Sequence, residues 1–411
     1  MSIWYIHPYS GSHSTGMSYR PYYLAKNFND LGYKTTIISS LNHHLSSFDS
    51  GAIGVNKFDG VDYFLVKTPK YKGNGVGRIL NMLSFGYRLF LKDFFNFAES
   101  EKPKVIIAST AHPFHIFAAF FYAKKYKAKF ILEVRDLWPL SLQELVGLSK
   151  FHPLCILVNL CQKFGYRYCD ICVSLLSNSK EFLVGQGLSE YKFFCIPNGY
   201  QVENKQNVTS DDSSYYPKNE LVRRLKKMDF VIGYAGALGL PNNMMPLLQV
   251  AKLVKENDKF SLGVVIVGDG GVKNSLVKFC QENNLTDVHF VDPVPKLYVE
   301  KFLTLCDCLF INALPKKIYK YGISPNKIFD YMMLNKPILN GLDAPFNPMA
   351  EAGVEVFFMS SSECDLLNKI EDLLTIKKSK SLKYDSKSLV VEKYSYDALA
   401  RSYIRLFESN L

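Results

Sequence analysis

The stretch FVIGYAG (230–236) is a short apolar run that ends in small residues. A connection of helical length follows it, and the next apolar run is LGVVIVG (262–268). Apolar runs separated in this way are typical of βαβ units, whose parallel strands form a sheet that helices cover on both faces. This part of the chain therefore predicts an α/β fold with a parallel sheet.

The same alternation extends in both directions along the chain. Further strands are predicted in the second half at VHFVD (288–292), CLFINA (308–313) and KPILN (336–340), and in the first half at WYIH (4–7), TTIIS (35–39), VDYFLV (61–66), KVIIAS (104–109), KFILEV (129–134), ICVSLL (171–176) and KFFCIP (192–197). A second parallel sheet is thus expected in the first half.

Domain organisation follows from length and from one polar segment. The chain has 411 residues, and domains of roughly 150 residues each give two or three of them. The segment 201–220 is rich in Ser, Asn and Asp, which is typical of a linker with a loop. We therefore predict two Rossmann-like, doubly wound domains, 1–200 and 201–390, that face one another across a cleft.

Composition excludes a disordered chain, and charge indicates a partner. Apolar residues make up 48% and charged residues 21%, as in ordinary folded proteins. Residues 1–200 carry 22 Lys and Arg against 13 Asp and Glu, whereas residues 201–411 carry 27 against 25. The basic first half favours an anionic partner, which could be nucleic acid, a phospholipid surface or a phosphorylated ligand. A lysine-rich, solvated surface is the alternative.

The nine cysteines do not suggest disulfides or a zinc site. Two closely spaced pairs, Cys169 with Cys172 and Cys306 with Cys308, stand at or just before the start of apolar runs. A structural zinc site needs four ligands, and no second matching pair lies nearby in the sequence. These residues are predicted to be buried thiols in a reducing cytoplasm.

Two segments bear on targeting. The N-terminal MSIWYIHPYS lacks the basic and apolar parts of a signal peptide. The longest apolar stretch, FHIFAAFFYA (114–123), is shorter than the ~18 residues that span a bilayer and is predicted to be a buried helix. A cytoplasmic protein is expected.

The segment YKYGISPNKIFDYMMLNKPILN (319–340) carries the most informative polar residues. Ser324 followed by Pro325 predicts a helix start with Ser as N-cap and Pro at the first helical position. A helix N-terminus favours an anion. Lys327 can neutralise a phosphate, and Asp330 can accept hydrogen bonds from a ribose diol. The alternative is an exposed Lys327–Asp330 pair on an amphipathic helix.

Several ordered stretches of the chain resemble one family. SPNKIFDYM…NKPIL looks like the signature of the retaining family-four glycosyltransferases, which have the GT-B fold. The other matching stretches are GMSYRPYYLAK (16–26), HPFH (112–115), EVRDLWPLSLQEL (133–145), IPNG (196–199), YAGALG (234–239), GDG (268–270) and PVPK (293–296). The nearest branch is bacterial enzymes that transfer N-acetylated deoxyhexoses, for example N-acetyl-L-fucosamine, to lipid-linked oligosaccharides of O-antigen or capsule.

The resemblance implies a role for each part of the chain. Residues 1–200 would bind the acceptor, 201–390 would bind the nucleotide sugar, and a C-terminal helix in 391–411 would pack back on the N-terminal domain. The implied donor-binding residues are Gly16, Gly236, Ala237, Leu238, Gly239, Pro295, Lys296, Ser324, Asn326, Lys327 and Asp330.

The chain departs from the family pattern at two places. The first of two acidic residues in the signature is replaced by Gly322, and no Arg–Lys pair follows YAGALG (234–239). Another cation must therefore meet the charge of the leaving diphosphate. The candidates are Lys327, Lys320 and Arg135.

Two strand ends in the first half carry candidate catalytic residues. His112 follows KVIIAS (104–109), and by the resemblance it contacts the donor sugar. The alternative is that it caps a helix starting near Pro113. Glu133, Arg135 and Asp136 crowd the end of the next strand, where unpaired buried charge would be costly. Asp136 or Glu133 would help to position the acceptor, and an ion pair of Arg135 with a carboxylate is the alternative.

Missing motifs narrow the chemistry. The chain has no Asp-x-Asp, which transferases that bridge the diphosphate with Mg²⁺ usually carry, so metal-independent transfer is expected and no cofactor is predicted. It also has no Gly-x-x-x-x-Gly-Lys-Ser/Thr motif, which argues against ATP or GTP hydrolysis. No basic-aromatic module is present either, so no nucleic-acid partner is predicted.

The predicted function is retaining transfer from a UDP-sugar to a polyprenyl-diphosphate-linked saccharide at the inner face of the cytoplasmic membrane. Basic and apolar residues alternate in 67–78, and Leu83, Phe90, Leu91 and Phe94 have helical spacing in 81–95, which favours peripheral binding to an anionic membrane. Packing of that apolar face under the first sheet is the alternative. A UDP-sugar 2-epimerase and a non-catalytic sugar-nucleotide-binding subunit are the alternative functions.

Overall fold

A computed structural model describes residues 1–48, 52–73, 75–202, 213–345, 347–379 and 384–409. The chain forms two compact units. The first contains Met1–Gln201, Tyr321–Ile323 and Lys393–Leu411, and the second contains Val202–Lys320 and Ser324–Glu392. Half of the linker predicted over 201–220 lies outside the described residues.

The first unit is built on an eight-stranded sheet. The strands of this unit are β1 (Ser2–Ile6), β2 (Lys34–Ser40), β3 (Asn42–His43), β4 (Ser46–Ser47), β5 (Gly54–Phe58), β6 (Val61–Val66), β7 (Val105–Ser109), β8 (Lys129–Val134), β9 (Ile171–Ser174) and β10 (Phe193–Cys195). The sheet order is β10–β9–β8–β7–β1–β2–β6–β5, and only the β5–β6 pair is antiparallel. β3 and β4 form a separate two-stranded hairpin.

Helices cover both faces of this sheet. They are α1 (Arg20–Asp30), α2 (Val76–Arg88), α3 (Lys92–Ser100), α4 (Ile116–Tyr126), α5 (Pro153–Tyr168) and α6 (Lys180–Gly185), together with the C-terminal α15 (Tyr396–Glu408). One core lies between the sheet and α2–α5, and contains Phe85, Tyr122 and Tyr166. A second core lies on the other face and contains residues of α1 and α15, such as Phe28 and Tyr403. Burial of both faces explains why β7 is apolar up to its last residue, Ser109.

The second unit contains a six-stranded sheet in which every neighbouring pair is parallel. Its strands are β11 (Phe230–Ala235), β12 (Leu262–Val267), β13 (Val288–Val291), β14 (Cys308–Ile311), β15 (Ile338–Asn340) and β16 (Glu355–Phe357), in the order β13–β12–β11–β14–β15–β16. The helices are α7 (Asn219–Leu225), α8 (Met245–Asn257), α9 (Lys273–Glu282), α10 (Lys296–Leu303), α11 (Asn326–Met332), α12 (Pro348–Glu351), α13 (Glu363–Ser379) and α14 (Ser386–Lys393).

The predicted α/β class is confirmed, and every strand predicted from an apolar run is present within two residues at either end. The sequence missed β16, the edge strand β5 and the β3–β4 hairpin. β5 has the sequence GVNKF, in which partly buried and exposed residues alternate, so it lacks a continuous apolar run. The two Cys pairs are buried, as predicted, and all nine cysteines are free thiols.

The helical segment predicted over 81–95 is divided in two. α2 ends at Arg88 and α3 begins at Lys92. Phe94 is in the core, whereas Leu83 and Phe90 are exposed. The prediction of one helix with the four apolar residues on a single apolar side is therefore wrong. The break between α2 and α3 directs Phe94 of α3 toward the sheet.

Among the described residues, no helix has the length and apolar character needed to cross a membrane.

Candidate functional site

The second unit has its candidate site at the carboxyl ends of β11 and β14. These neighbours are where the strand order changes direction, because β12 and β13 extend to one side of β11 and β15 and β16 extend beyond β14. Open α/β sheets bind ligands in the crevice beside such a point.

Glycines allow the loops after β11 and β12 to pack directly against each other. Gly236, Gly268 and Gly270 have φ angles of 144°, 147° and 157°. A Cβ atom on Gly268 would lie 2.0 Å from the carbonyl oxygen of Gly236, and one on Gly270 would lie 2.3 Å from that of Leu238. No side chain fits between these loops, so bare backbone forms this edge of the sheet.

Lys327 projects from α11 to the Gly236 backbone. A Cβ atom on Gly236 would lie 2.9 Å from its Nζ atom. Nζ donates to the Tyr234 hydroxyl over 2.9 Å, lies 3.4 Å from Asn242 Oδ1, and sits 4.3 Å from the centre of the Tyr234 ring. All of these partners are neutral.

The environment of Lys327 is unfavourable for its charge. Burial lowers the pKa of the ammonium from its ordinary 10.5 to about 8. Within the described part of the chain, no carboxylate forms an ion pair with it. A partly dehydrated cation without a counter-ion, next to exposed backbone, is suited to bind an anion.

The start of α11 differs from the prediction by one position. Pro325 is the N-cap residue, with ψ of 138°, and α11 begins at Asn326 without a capping side-chain hydrogen bond. The prediction of Ser324 as N-cap and Pro325 as the first helical residue is therefore wrong. α11 is instead held by the Tyr331 hydroxyl, which accepts from the Ala235 backbone N–H over 2.8 Å at the end of β11.

Asp330 and Lys296 lie together. The Lys296 ammonium is 3.0 Å from Asp330 Oδ1, and both side chains are about one-third exposed. The ion pair connects the start of α10 with α11 and orients the carboxylate. The predicted exposed Lys327–Asp330 pair does not form, because Lys327 turns inward to Tyr234.

The remaining predicted donor residues differ in exposure. Ala237 is exposed, but its carbonyl oxygen accepts from the Tyr234 hydroxyl and from Asn242 Nδ2. Leu238 is buried in the core of the second unit, so only its backbone could contact a ligand. Pro295 and Asn326 are exposed, Gly239 and Ser324 are half-buried, and Lys320 is exposed.

Glu133 belongs to a buried network of the first unit. Its carboxylate is 3.0 Å from Arg20 Nε and accepts hydrogen bonds from the hydroxyls of Tyr5, Ser109 and Tyr403. Although burial opposes ionisation, the Arg20 guanidinium holds the pKa of Glu133 below its ordinary value.

Glu133 is fully buried, and its carboxylate has four donors within the protein. The proposal that it positions the acceptor is therefore wrong in this structure. Arg20 completes the network by donating to the carbonyl oxygens of Ile196 and Pro197.

Arg135 does not form the alternative ion pair with a carboxylate. Its Nη1 atom lies 3.2 Å from Nε2 of His7, at the end of β1, and its backbone N–H lies 3.3 Å from Thr110 Oγ1. Burial lowers the pKa of His7 well below its ordinary value, and Arg135 lowers it further. Asp136 is exposed beside this contact.

His112 and His115 are buried imidazoles in the loop before α4. Each is at most 1% exposed, and no ring nitrogen of either has a hydrogen-bond partner among the residues that the structure describes. Their ring centres are 5.5 Å apart, and His112 also contacts the Tyr9 ring. Burial lowers the pKa of His112 well below its ordinary value and that of His115 to about 3, so both are neutral. His112 does not cap α4, whose N-cap residue is His115.

Two glycines of the first unit have conformations that other residues rarely adopt. Gly16 has a φ angle of 124°, and its N–H donates to the Ser12 carbonyl oxygen. Gly322 has a φ angle of 102°, and a Cβ atom there would lie 2.7 Å from Ser177 Oγ and 2.9 Å from the Ser177 nitrogen. The acid that the family pattern expects at position 322 therefore has no room.

Sequence reasoning missed several residues of these sites. Tyr234 and Asn242, which surround the Lys327 ammonium, belong to a strand and a loop without a charged residue. Arg20 and Tyr403, which hold Glu133, are separated by 383 positions. The described residues contain no group of three or more His, Cys, Asp or Glu arranged to hold a metal ion.

Comparison with solved structures identifies the fold. The chain is similar to sucrose-phosphate synthase from Thermosynechococcus elongatus, with 12% identity, a TM-score of 0.72, and coverage of 99% of this chain and 98% of that one. It is also similar to HepE from Anabaena in complex with UDP-glucose, with 12% identity, a TM-score of 0.64, and full coverage of both chains.

The lipopolysaccharide outer core galactosyltransferase WaaB gives 13% identity and a TM-score of 0.63, again over the whole of both chains. A protein assigned as a UDP-N-acetylglucosamine 2-epimerase, from Listeria monocytogenes, gives 13% identity and a TM-score of 0.57, over 100% of this chain and 96% of that one. No protein-family model and no curated protein sequence matches the chain. These likenesses establish that the chain has the GT-B fold of the glycosyltransferases among these structures.

Proposed function

We propose that this protein is a retaining glycosyltransferase. It transfers an N-acetylated hexose or deoxyhexose from a UDP-sugar to a lipid-linked saccharide during synthesis of a bacterial surface polysaccharide, such as O-antigen or capsule. The supporting observation is the Lys327 ammonium, which is partly buried against the Gly236 backbone and has no counter-ion among the described residues. A diphosphate is the anion that this position suits, since two bare-backbone loops adjoin it.

The donor is held chiefly by the second unit in this proposal. Lys327 binds the diphosphate, and Asp330, oriented by Lys296, accepts hydrogen bonds from the ribose hydroxyls. The fold is that of HepE, which has been captured with UDP-glucose. Backbone groups of 236–239 and 293–296 contact the rest of the nucleotide.

The reaction replaces one bond at the anomeric carbon with another on the same face. The bond to the diphosphate oxygen breaks, the acceptor hydroxyl forms the new glycosidic bond, and the hydroxyl proton passes to the leaving phosphate. Neutral His112 orients the sugar through one ring nitrogen, and Arg135 and Asp136 position the acceptor. Transfer requires no metal ion, because Lys327 meets the charge of the leaving group.

The acceptor is a polyprenyl-diphosphate-linked saccharide, and the protein binds peripherally to the inner face of the cytoplasmic membrane. The basic first half of the chain supports this part of the proposal, since anionic lipid attracts it. WaaB, which has the same fold, acts on lipopolysaccharide.

A UDP-sugar 2-epimerase is the second candidate, because the Listeria monocytogenes structure has the same fold. An epimerase needs free acid and base groups, and the most buried carboxylate near the first sheet, Glu133, is already bonded to four donors. A non-catalytic sugar-nucleotide-binding subunit would bind donor without converting it.

One assay distinguishes these functions. Protection against thermal unfolding by a panel of UDP-sugars identifies the donor, which is then incubated with and without a lipid-linked saccharide. We expect an elongated lipid-linked product whose new bond has the donor's anomeric configuration by NMR. Conversion of the UDP-sugar to its 2-epimer without acceptor would establish the second candidate, and binding without any product would establish the non-catalytic subunit.

The Lys327 assignment has its own measurement. Lys327→Met is expected to weaken UDP binding about 10- to 100-fold by calorimetry, as for loss of a charge-assisted hydrogen bond. Lys252→Met, on the exposed surface of α8, is the matched control and should bind like the unaltered protein. Unchanged UDP affinity in Lys327→Met would refute the diphosphate site.

A further inference from the structure

Helix α5 is apolar on both of its faces. On its inner face, Tyr166 belongs to the core beneath the sheet, and Val158 and Cys161 form a small buried cluster with Phe114. Its outer face also carries large apolar side chains, and Ile156, Leu157 and Leu160 are 47%, 41% and 58% exposed. A helix on the surface of a soluble protein normally has a polar outer face, so this pattern indicates a surface that something else covers.

The apolar surface continues from α5 onto neighbouring elements. Phe151, in the turn before α5, is 74% exposed. Phe117 of α4 is exposed and its ring centre lies 4.6 Å from that of Phe164 on α5. Phe121 is exposed one turn further along α4 and contacts exposed Phe90. We call Phe117, Phe121, Phe151, Ile156, Leu157 and Leu160 the α4–α5 apolar face.

The charges within the two segments that carry this face have one sign. Segments 114–127 and 145–169 contain six Lys and Arg and no Asp or Glu. Lys150 lies 5.0 Å from the Phe151 ring centre and Arg167 lies 5.8 Å from that of Tyr168, so cations adjoin exposed aromatic rings. Lys125 is ion-paired with Glu99 and contributes less to the local potential.

We propose that the α4–α5 apolar face docks on an anionic lipid bilayer, with its apolar side chains among the acyl chains and its cations at the lipid phosphates. Apolar residues ringed by Lys and Arg are the composition of membrane-interface helices. A protein with an acidic surface would complement the Lys and Arg residues, but it would not complement the large apolar area between them. The docking surface thus lies on α4 and α5, apart from the segment 67–78.

This inference deepens the proposed function, because it identifies where the lipid-linked acceptor's membrane would lie. It is tested without any substrate, so its outcome is independent of donor binding. The full-length protein is floated with vesicles of phosphatidylethanolamine and phosphatidylglycerol, and separately with vesicles of phosphatidylcholine alone. Binding is expected only with phosphatidylglycerol present, and it should weaken as salt rises.

The variants separate apolar from electrostatic contributions. Phe151→Ser and Leu160→Ser are each expected to weaken partitioning about tenfold, in line with removal of a large apolar side chain from the interface. Lys150→Gln combined with Arg167→Gln should reduce binding and its salt dependence together. Tyr191→Ser is the matched control, since Tyr191 is 78% exposed and lies outside this face.

All four altered side chains are exposed, so the variants are expected to fold, which thermal unfolding checks. Equal flotation of Leu160→Ser, Phe151→Ser and the control would overturn the proposal. A soluble dimer, measured by light scattering, that Leu160→Ser converts to monomer would also overturn it, because a second copy of the chain would then cover the face.

Discussion

At the scale of single residues, Lys327 is the side chain whose state depends most on a ligand. Its ammonium is stabilised by a hydroxyl, an amide oxygen and the face of an aromatic ring, none of which carries charge. A bound diphosphate would supply the missing negative charge and so raise the pKa of the Lys327 ammonium. Binding is therefore coupled to proton uptake wherever the unliganded side chain is deprotonated.

UDP affinity is expected to be nearly constant from pH 7 to about pH 8 and to fall above it. The unliganded Lys327 has a pKa of about 8, so above that pH binding must take up a proton, and affinity falls by at most about tenfold per pH unit. Calorimetry between pH 7 and pH 9.5 measures this. Lys327→Arg, which stays charged, should show no such slope, and an equal slope in that variant would contradict the prediction.

The same lysine also affects stability. Its pKa is lower in the folded state than in the unfolded state, so the unfolded chain binds more protons between pH 8 and 10.5. Lys327 therefore destabilises the unliganded fold at pH 7, and stability recovers as pH rises through that range. Lys327→Met should be more stable than the unaltered protein at pH 7, by about 1–3 kcal/mol, although it binds UDP poorly.

Gly322 gives a second prediction at this scale. Gly322→Glu would restore the acid of the family pattern, but it forces a side chain into a φ angle of 102° and a Cβ atom to within 2.9 Å of Ser177 backbone. We expect a loss of about 2–4 kcal/mol in the free energy of unfolding, measured by urea denaturation. Gly353→Glu is the control, since Gly353 also has positive φ but has open space around it. Similar losses in the two variants would show that backbone strain alone, without the Ser177 contact, sets the effect.

At the scale of elements, the Arg20–Glu133 pair joins three of them. Arg20 begins α1, Glu133 lies in β8, and Tyr403 on α15 hydrogen bonds to both. The last helix of the chain is thereby tied to the sheet of the first unit. Because the pair is fully buried, removing one partner leaves the other charge without compensation.

Glu133→Gln is expected to destabilise the protein by about 3–5 kcal/mol, whereas Glu99→Gln, which breaks the exposed pair with Lys125, should change the free energy of unfolding much less. Urea denaturation gives both values. UDP affinity should be unchanged in Glu133→Gln. A variant of normal stability that has lost only turnover would restore the catalytic role for Glu133 that its contacts exclude.

The pH dependence of this pair has a definite sign. The pKa of Glu133 is lower in the folded state than in the unfolded state. Its contribution to the free energy of unfolding is therefore fully present above the unfolded pKa of about 4.3. That contribution is lost as the pH falls through the lower pKa of the folded state. Glu133→Gln should remove part of the acid sensitivity of the free energy of unfolding.

At the scale of the whole molecule, the proposed reaction depends on protein cations rather than on a metal ion. Transfer is expected to continue at full rate after dialysis against EDTA and to be insensitive to added Mg²⁺ or Mn²⁺, since Lys327 meets the leaving diphosphate. The measurement is the rate of product formation from UDP-sugar and lipid-linked acceptor. Loss of activity in EDTA with recovery on adding Mg²⁺ would refute metal independence.

The sequence by itself determined the α/β class, the positions along the chain of most of the strands, and the glycine-rich loops that follow two of them. These follow from local patterns, because a strand buried on both faces must be a continuous apolar run and a loop that packs on bare backbone must contain glycine. It also indicated Lys327 and Asp330, since charged residues at the start of a helix near an apolar strand are conspicuous.

Only the tertiary structure decided what surrounds those residues. Arg20 and Tyr403 meet Glu133 across 113 and 270 positions, and no local pattern reports such contacts. Lys327 faces Tyr234 instead of Asp330 because α11 turns that side chain toward the end of β11. The exposed side of α5 was also beyond the sequence, since a helix with large apolar residues on both faces gives no clear indication of which face packs inside the protein and which one meets solvent.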